Sequence, residues 1–350
     1  MVQPGSVSAQ ESATQNRSVS DVYAAANPAV VTITTFIDAS TLQQAQSQQM
    51  PGDGQNPEQQ QLPSDSGTTG DLVEYAAGSG FIVSRDGYVV TNNHVVEGSS
   101  ALKVRFADGT VKNAELVGSD PFQDVAVIKI DLSDGLSVPG TVAWGDSSSM
   151  RPGDDVIAIG TPYGEFNNTV SDGMIGAVNG DLNSGGGYSL PNLIQHNAAI
   201  YPGNSGGPLL NMSGEVIGIN VAKAYGDTSS MTGEGFNFAI ESNVAKAIVD
   251  EIISTGQYAR PYLGIQAQAS AQGVAIMEVE AGGPAANSGL LAGDVIIGMS
   301  GDSATDPSEA LDTILFEKKP GDTVTLDVLR DGQSMTVEVT LGERPTALSQ

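Results

Sequence analysis

The chain has 350 residues, 41 acidic and 14 basic side chains, a formal net charge of -27 and no cysteine. Its length suits about two domains of ~100–200 residues each, and its charge opposes binding to nucleic acid or anionic lipid. Without cysteine it has no disulfide framework, no thiolate metal site and no Cys nucleophile.

Aromatic residues make up 5% of the chain and glycines number 43, a balance that favours short strands and tight turns over long helices. No window approaches the ~18 consecutive apolar residues of a membrane span. Residues 1–19 form a polar Ser- and Gln-rich tether of the kind that follows an export signal or lipid anchor, and Met1-Val2-Gln3-Pro4 has neither the basic nor the apolar region of a signal.

In chain order, residues 29–36 (AVVTITTF) are a β-branched run that predicts a strand. From 38 to 71, Gln, Ser, Gly, Pro and Asp dominate, and such a tract reads as a mobile loop inserted between two strands of one domain. Short apolar runs follow at 80–84, 88–96, 101–107, 125–130, 155–160 and 215–222, separated by turn signals such as Asp86-Gly87, Asp108-Gly109, Pro152-Gly153 and Ser213-Gly214. That spacing predicts sheets closed into barrels or sandwiches.

A helix is predicted over about 243–255, with Val244, Ala245, Ile248, Val249, Ile252 and Ile253 on one face, Ser242 as N-cap and Gly256 as the stop. Gln257-Tyr258-Ala259-Arg260-Pro261 then reads as a domain boundary. Beyond it strands again alternate with Gly-rich turns, and 307–317 carries an amphipathic helix pattern on Ala310, Leu311, Ile314 and Leu315. The expected organisation is a tether at 1–19, a mainly β domain at 20–256 and a small α+β domain at 260–345.

Three segments carry chemistry: TNNHVV around His94, DVAVIKI from Asp124 and GNSGGPL around Ser205. A serine hydroxyl is a weak nucleophile until a neutral imidazole takes its proton, and the imidazole needs a carboxylate on its other nitrogen. Glycines beside Ser205 permit the tight turn in which the backbone N–H groups of Gly203, Asn204 and Ser205 surround a developing oxyanion. Each segment alone also has a structural reading, as a strand-end His, a turn Asp and a Gly-rich turn. The second histidine, His196, nine residues before Ser205, stands as the alternative base.

Taken together, GSGFIVSRDGYVVTNNHVVEG (78–98), DPFQDVAVIKI (120–130), AIGTPYG (158–164), AAIYPGNSGGPLLNMSGEVIGIN (198–220) and FAIES (238–242) resemble, in order, the HtrA/DegP-type serine endopeptidases. The resemblance covers about 20–345. It implies a chymotrypsin-like pair of β-barrels with His94, Asp124 and Ser205 as base, orienting acid and nucleophile. It also implies a homotrimer or a higher multiple, built around N-terminal residues near Tyr23, an extracytoplasmic location at the cell surface or envelope, and unfolded proteins as substrates, with no cofactor.

Where the family commonly has Thr-Asp-Ala-Ala-Ile-Asn-Pro, this chain has His196-Asn197-Ala198-Ala199-Ile200-Tyr201-Pro202. Ala199, Ile200, Tyr201, Asn237 and Phe238 are expected at the substrate pocket, with Asn237 on an edge strand that holds the peptide. Asn204 is neutral where digestive proteases have an Asp that pairs with a newly cut N-terminus, so activation is expected through loop ordering.

The last part of the chain resembles the family's PDZ module. In Tyr262-Leu263-Gly264-Ile265 backbone N–H groups are expected to hold a peptide's terminal carboxylate, and the following strand offers an edge to an extended peptide. GGPAANSGLLAGDVIIGMSG (282–301) follows the module's Pro-Ala…Gly-Leu…Gly-Asp-Val-Ile run, and 307–317 would wall the groove. No Walker-type loop and no His-Glu-x-x-His cluster occurs, and no metal is expected. An ATP-independent endopeptidase acting on unfolded chains is the leading reading, and a non-catalytic chaperone or scaffold that holds chains through the PDZ groove is the alternative.

The chain has 28 acidic and 9 basic residues before position 260 and 13 and 5 from there on, so no single acidic tail explains the charge. Such a surface resembles that of proteins from salt-loving cells, whose self-repulsion molar salt screens.

Overall fold

A computed structural model of the protein describes residues 17–41, 72–164, 168–183, 189–222, 236–299 and 318–344. The chain divides into two compact units, Met1–Tyr258 and Ala259–Gln350. The first opens with helix α1 (Val19–Ala26), whose N-cap Ser18 and Asp21 form a reciprocal capping box.

Twelve strands of this unit close into two antiparallel barrels. The first contains β1 (Val30–Asp38), β2 (Leu72–Ile82), β3 (Tyr88–Thr91), β4 (Ala101–Arg105), β5 (Val111–Asp120) and β6 (Val125–Ile130), in the order β1-β2-β3-β6-β5-β4. The second contains β7 (Asp155–Gly160), β8 (Thr169–Asn183), β9 (Ser189–His196), β10 (Pro208–Asn211), β11 (Val216–Val221) and β12 (Asn237–Glu241), in the order β10-β11-β12-β9-β8-β7. Closure leaves no exposed sheet edge, which is how a chain rich in short strands avoids edge-to-edge association.

The apolar runs of the sequence become these strands, with one change that matters for function. The run 88–96 is not one strand. β3 stops at Thr91, where its pairing with Ala126 of β6 ends, and a short helix α2 (Asn93–Val96) follows. Asn92 and Asn93 interrupt the apolar pattern and turn His94 out of the sheet. The loop expected over 38–71 gives Asp38 to β1, and its stretch 42–71 lies outside the described residues.

β11 is buried along its whole length because it is packed on both faces. Ile217 joins the interior of the second barrel with Ile194, Leu209 and Ala239. Val216, Ile219 and Val221 belong to a core shared with Ile248, Val249 and Ile252 of helix α3 (Ser242–Thr255). That helix ends at Gly256 in the left-handed region (φ 84), as the sequence predicts. Its N-cap is Glu241, not Ser242, because the Ser242 hydroxyl donates to Gly145 O at 2.9 Å and is unavailable to the helix end.

The second unit holds a five-stranded antiparallel sheet of β14 (Ile265–Ser270), β15 (Gly273–Val279), β16 (Val295–Met299), β17 (Thr323–Arg330) and β18 (Gln333–Thr340), in that order. β13 (Pro261–Tyr262) pairs separately with β19 (Gly342–Glu343), and a short helix α4 (Pro284–Asn287) precedes β16. Leu263, Ile276, Leu290, Ile296, Leu326 and Val339 are part of its core. Arg330 grips buried Asp294 through Nε to Oδ1 and Nη2 to Oδ2, both 2.6 Å, while the same Nη2 donates to Gly289 O at 2.8 Å. The Arg330 guanidinium thereby holds the Asp294 carboxyl below its usual range. The helix expected over 307–317 lies outside the described residues. Among the described residues no helix is long and apolar enough to cross a membrane.

Candidate active site

Asp124 precedes β6 with φ 55, in the left-handed region that non-glycine residues rarely adopt, though Asp and Asn do so more readily than most. Such a conformation costs roughly 1–3 kcal/mol. What holds it is the segment around α2. Asn93 N–H and Asn92 Nδ2 donate to Asp124 O at 3.1 and 2.8 Å, and His94 N–H donates to Asp124 Oδ1 at 2.8 Å. The other carboxylate oxygen, Oδ2, lies 2.7 Å from His94 Nδ1. A carboxylate only accepts, so the proton sits on Nδ1 and Nε2 is left as a base. The Asp124 side chain is 6% exposed and that of His94 18%, so the acid is buried and the base reaches the surface.

Ser205 lies in a turn that both barrels shape. From the first, Ser79 in β2 donates its N–H to Ser205 O (2.8 Å) and its hydroxyl to Gly203 O (2.6 Å), while accepting from Thr161 N–H (2.8 Å). From the second, Gly206 N–H donates to Asn220 O and Asn220 N–H to Gly207 O, each at 2.9 Å. Gly206 (φ 83) is required here, since a Cβ would lie 2.2 Å from Thr91 Oγ1. Gly203 (φ 98) is equally constrained, with Thr161 O at 2.4 Å from its would-be Cβ.

The Pro202 carbonyl accepts from Tyr163 N–H at 2.8 Å. In a trans peptide the carbonyl and N–H point oppositely, so the Gly203 N–H faces away from Tyr163. Among the described residues neither Gly203 N–H nor Ser205 N–H makes a hydrogen bond, whereas Asn204 N–H is used by Tyr201 O at 2.9 Å. The turn thus offers two free backbone donors, not three. The Ser205 hydroxyl accepts from Ala222 N–H at 3.0 Å, and no hydrogen bond joins it to His94.

Of the expected pocket residues, Ile200 packs against the interior of the second barrel and Tyr201 is half exposed. Ala199 O accepts from Ser171 Oγ at 2.8 Å. Asn237 does not lie on an edge strand. β12 is bonded to β11 on one side and β9 on the other, and Asn237 Nδ2 donates to Ala198 O at 2.9 Å. Phe238, opposite Val221, packs against the core shared with α3.

His196 is 1% exposed and stands beside Asn237 and Ile175 in the barrel wall. Neither ring nitrogen makes a hydrogen bond. Burial pushes its pKa from 6.5 down to about 4, and the nearby Phe238 backbone and Asn220 side chain oppose this only in part, short of hydrogen-bonding geometry. The structure therefore sets Asp124 against His94 and leaves His196 without a carboxylate partner.

In the second unit Gly264 adopts φ 74. Leu263 O accepts from Ala285 N–H (2.8 Å) and Gly264 O from Glu280 N–H (2.9 Å). Among the described residues the N–H groups of Leu263 and Gly264 make no hydrogen bond. Tyr262 donates its hydroxyl to Glu280, which raises the tyrosine's pKa, and the Arg344 guanidinium lies 5.7 Å from the ring centre. β14, starting at Ile265, is an outer strand of the sheet among the described residues.

Several residues that shape the site escape a sequence reading. Ser79, Asn92, Tyr163 and Ala222 all act through hydrogen bonds to residues distant in sequence. A fully buried Ser between two glycines in an apolar strand, as in Gly78-Ser79-Gly80, is the one local signal that points to such a role.

Comparison with known proteins places this geometry. The trypsin-like peptidase domain family matches residues 78–219 and the PDZ domain family residues 261–341. A Bacillus subtilis protein described as serine protease Do-like HtrA is 40% identical over 306 residues, covering 80% of this chain and 67% of its own length. A probable periplasmic serine endoprotease, DegP-like, from Marinomonas is 40% identical over 309 residues, covering 83% and 61%. The corresponding Halomonas elongata protein is 41% identical over 298 residues, covering 81% and 60%. This chain thus spans about three-fifths to two-thirds of these relatives' lengths. The solved structure of the HtrA-type protease AlgW with a decapeptide superposes with TM-score 0.74 at 31% identity, over 94% of this chain and all of that one. The chain belongs to the HtrA/DegP family of serine proteases, with a trypsin-like peptidase domain followed by a PDZ domain.

Proposed function

We propose that the chain is an ATP-independent serine endopeptidase that cuts unfolded or misfolded proteins, with His94, Asp124 and Ser205 as its catalytic triad. The observation that carries this reading is the His94 Nδ1 to Asp124 Oδ2 contact of 2.7 Å beside a Ser205 turn whose Gly203 and Ser205 N–H groups are both unused.

In this mechanism the Ser205 hydroxyl leaves Ala222 N–H and presents its proton to His94 Nε2. Ser205 Oγ attacks the scissile carbonyl as the imidazole takes that proton, and Asp124 stabilises the imidazolium. The oxyanion is received by Gly203 and Ser205 N–H, each such donor being worth about 2.7–4 kcal/mol in the transition state. The imidazolium then protonates the leaving amine, the C–N bond breaks, and water activated by the same imidazole releases the acyl group.

Peptide C-termini are the proposed ligands of Tyr262-Leu263-Gly264-Ile265. The free N–H groups of Leu263 and Gly264 suit a carboxylate, and the outer edge of β14 suits an added strand. A homotrimer formed through residues near Tyr23 and an extracytoplasmic role in envelope quality control complete the reading. The periplasmic naming of the Marinomonas and Halomonas relatives supports that location. One observation favours the alternative of a non-catalytic holder, namely the Ser205 hydroxyl bonded to Ala222 and not to His94.

Casein hydrolysis separates the two. The unmodified chain is expected to cleave casein, and Ser205→Ala to abolish cleavage while retaining the fold by circular dichroism. Cleavage that persists in purified Ser205→Ala protein refutes the assignment.

A further inference from the structure

Asn92 is fully buried between β3 and α2 and stands at the N-cap of the helix that carries His94. Asparagine is among the favoured residues there because its side-chain oxygen accepts from the first turn. In this chain it makes no such bond, and Asn92 Oδ1 has no hydrogen-bond partner. The side chain is turned the other way, with Nδ2 donating to Asp124 O at 2.8 Å.

A buried amide with an unpaired acceptor is a liability that an apolar residue of the same size would not carry. Its placement makes sense through what its donor does. Asp124 is held at φ 55, and the amide of Asn92 and the N–H of Asn93 converge on its carbonyl while His94 takes its carboxylate. Fixing the carbonyl fixes the peptide plane, and so the direction in which the Asp124 side chain leaves toward the imidazole. Asn92 also borders the nucleophile turn, its backbone N lying 3.0 Å from where a Cβ on Gly206 would be.

We propose that Asn92 is a positioning residue that acts through Asp124, holding that residue in its left-handed conformation so that the carboxylate meets His94 Nδ1. The inference rests on the triad reading above. It assigns the Asn92 amide donor a role in turnover separate from helix capping and from packing.

The test is a double-mutant cycle on the full chain, with kcat and KM measured for cleavage of a fluorogenic peptide. The four proteins are the unmodified chain, Asn92→Ala, Asp124→Ala and the double variant. Asn92→Ala is expected to lower kcat about 10- to 100-fold, because losing this buried hydrogen bond misaligns the Asp124–His94 pair whose charge stabilisation is needed in the transition state, with KM within about twofold. In the Asp124→Ala background the same substitution is expected to change kcat by less than about twofold, because the residue it acts through is gone. An equal loss in both backgrounds, an unchanged kcat, or a loss shared by KM overturns the proposal. If Asn92→Ala does not fold, Asn92→Leu, similar in size and without the donor, is judged by the same criteria. Failure of both to fold assigns Asn92 to stability and overturns the proposal. An Asp124→Ala protein as active as the unmodified chain is a different result, which refutes the triad reading and the inference with it.

Discussion

The buried imidazole of His196 should make the protein acid-labile in a way its carboxylates do not. In the folded chain its pKa is about 4, against 6.5 for the free group, and burial is the main cause. Above pH 6.5 both states leave it neutral and it contributes nothing to pH dependence. As pH falls below 6.5 the unfolded chain binds a proton that the folded chain refuses, so stability declines until about pH 4, where the folded form is protonated too. The depression of about 2.5 units corresponds to about 3 kcal/mol at full development. The measurement is urea unfolding of Ser205→Ala protein, chosen to prevent autolysis, at pH 8 and pH 4 in constant high salt. His196→Gln, neutral at every pH, serves as reference. Between these two pH values the protein with His196 should lose about 3 kcal/mol more than the His196→Gln form. Comparing the pair cancels the carboxylates, which titrate alike in both. Equal losses in the two proteins would refute the reasoning, since they would show that His196 is protonated as readily in the fold as outside it.

Gly203→Ala should reduce casein cleavage at least ~100-fold, because a Cβ 2.4 Å from Thr161 O displaces the peptide that presents the oxyanion donor. Retained activity would remove Gly203 N–H from the mechanism. A chain ending at Tyr258, the last residue of the first compact unit, should fold with a cooperative thermal transition by circular dichroism. Absence of that transition would show that the first unit depends on the second. Melting temperature and cleavage rate should rise from ~0.1 to ~3 M KCl, as the Debye length falls from ~10 Å to below ~3 Å and screens the net charge of -27. A flat or falling melting temperature would refute the salt-adapted reading and leave the triad untouched.

The strands were legible because their evidence is local, whereas their closure into a pair of barrels was what the family resemblance implied. β-branched runs between Asp-Gly and Pro-Gly turns specify strands, and a run such as 155–160 becomes β7 with no long-range information. The run 88–96 misleads because apolar content alone does not reveal that Asn92 and Asn93 take their partner from Asp124, 32 and 31 residues further along the chain. The same limit governs the site. His94, Asp124 and Ser205 stand out as side chains with recognisable chemistry, and sequence alone leaves His196 a rival to His94. The pairing of Asp124 with His94 and the isolation of His196 are tertiary facts. The edge-strand expectation for Asn237 came from the family resemblance, and barrel closure gives β12 a neighbour on each side.

The resting arrangement of Ser205 also bears on where this enzyme can be controlled. The Pro202–Gly203 peptide is oriented by Tyr163 N–H, and the Gly203 and Ser205 N–H groups are free, so under the proposed mechanism both oxyanion donors are in place before substrate arrives. What differs from a reactive arrangement is the hydroxyl, held by Ala222 N–H. Releasing it gives up one neutral hydrogen bond, worth about 0.5–1.5 kcal/mol net, and its new bond to His94 returns a similar amount. That exchange is too small to act as a switch. Under the proposed mechanism the larger effect belongs to the Tyr163 to Pro202 bond, whose loss would let the peptide turn and withdraw a donor worth about 2.7–4 kcal/mol. Under the proposed mechanism, a substitution that removes the Tyr163 to Pro202 bond is therefore expected to lower turnover more than one that frees the Ser205 hydroxyl from Ala222.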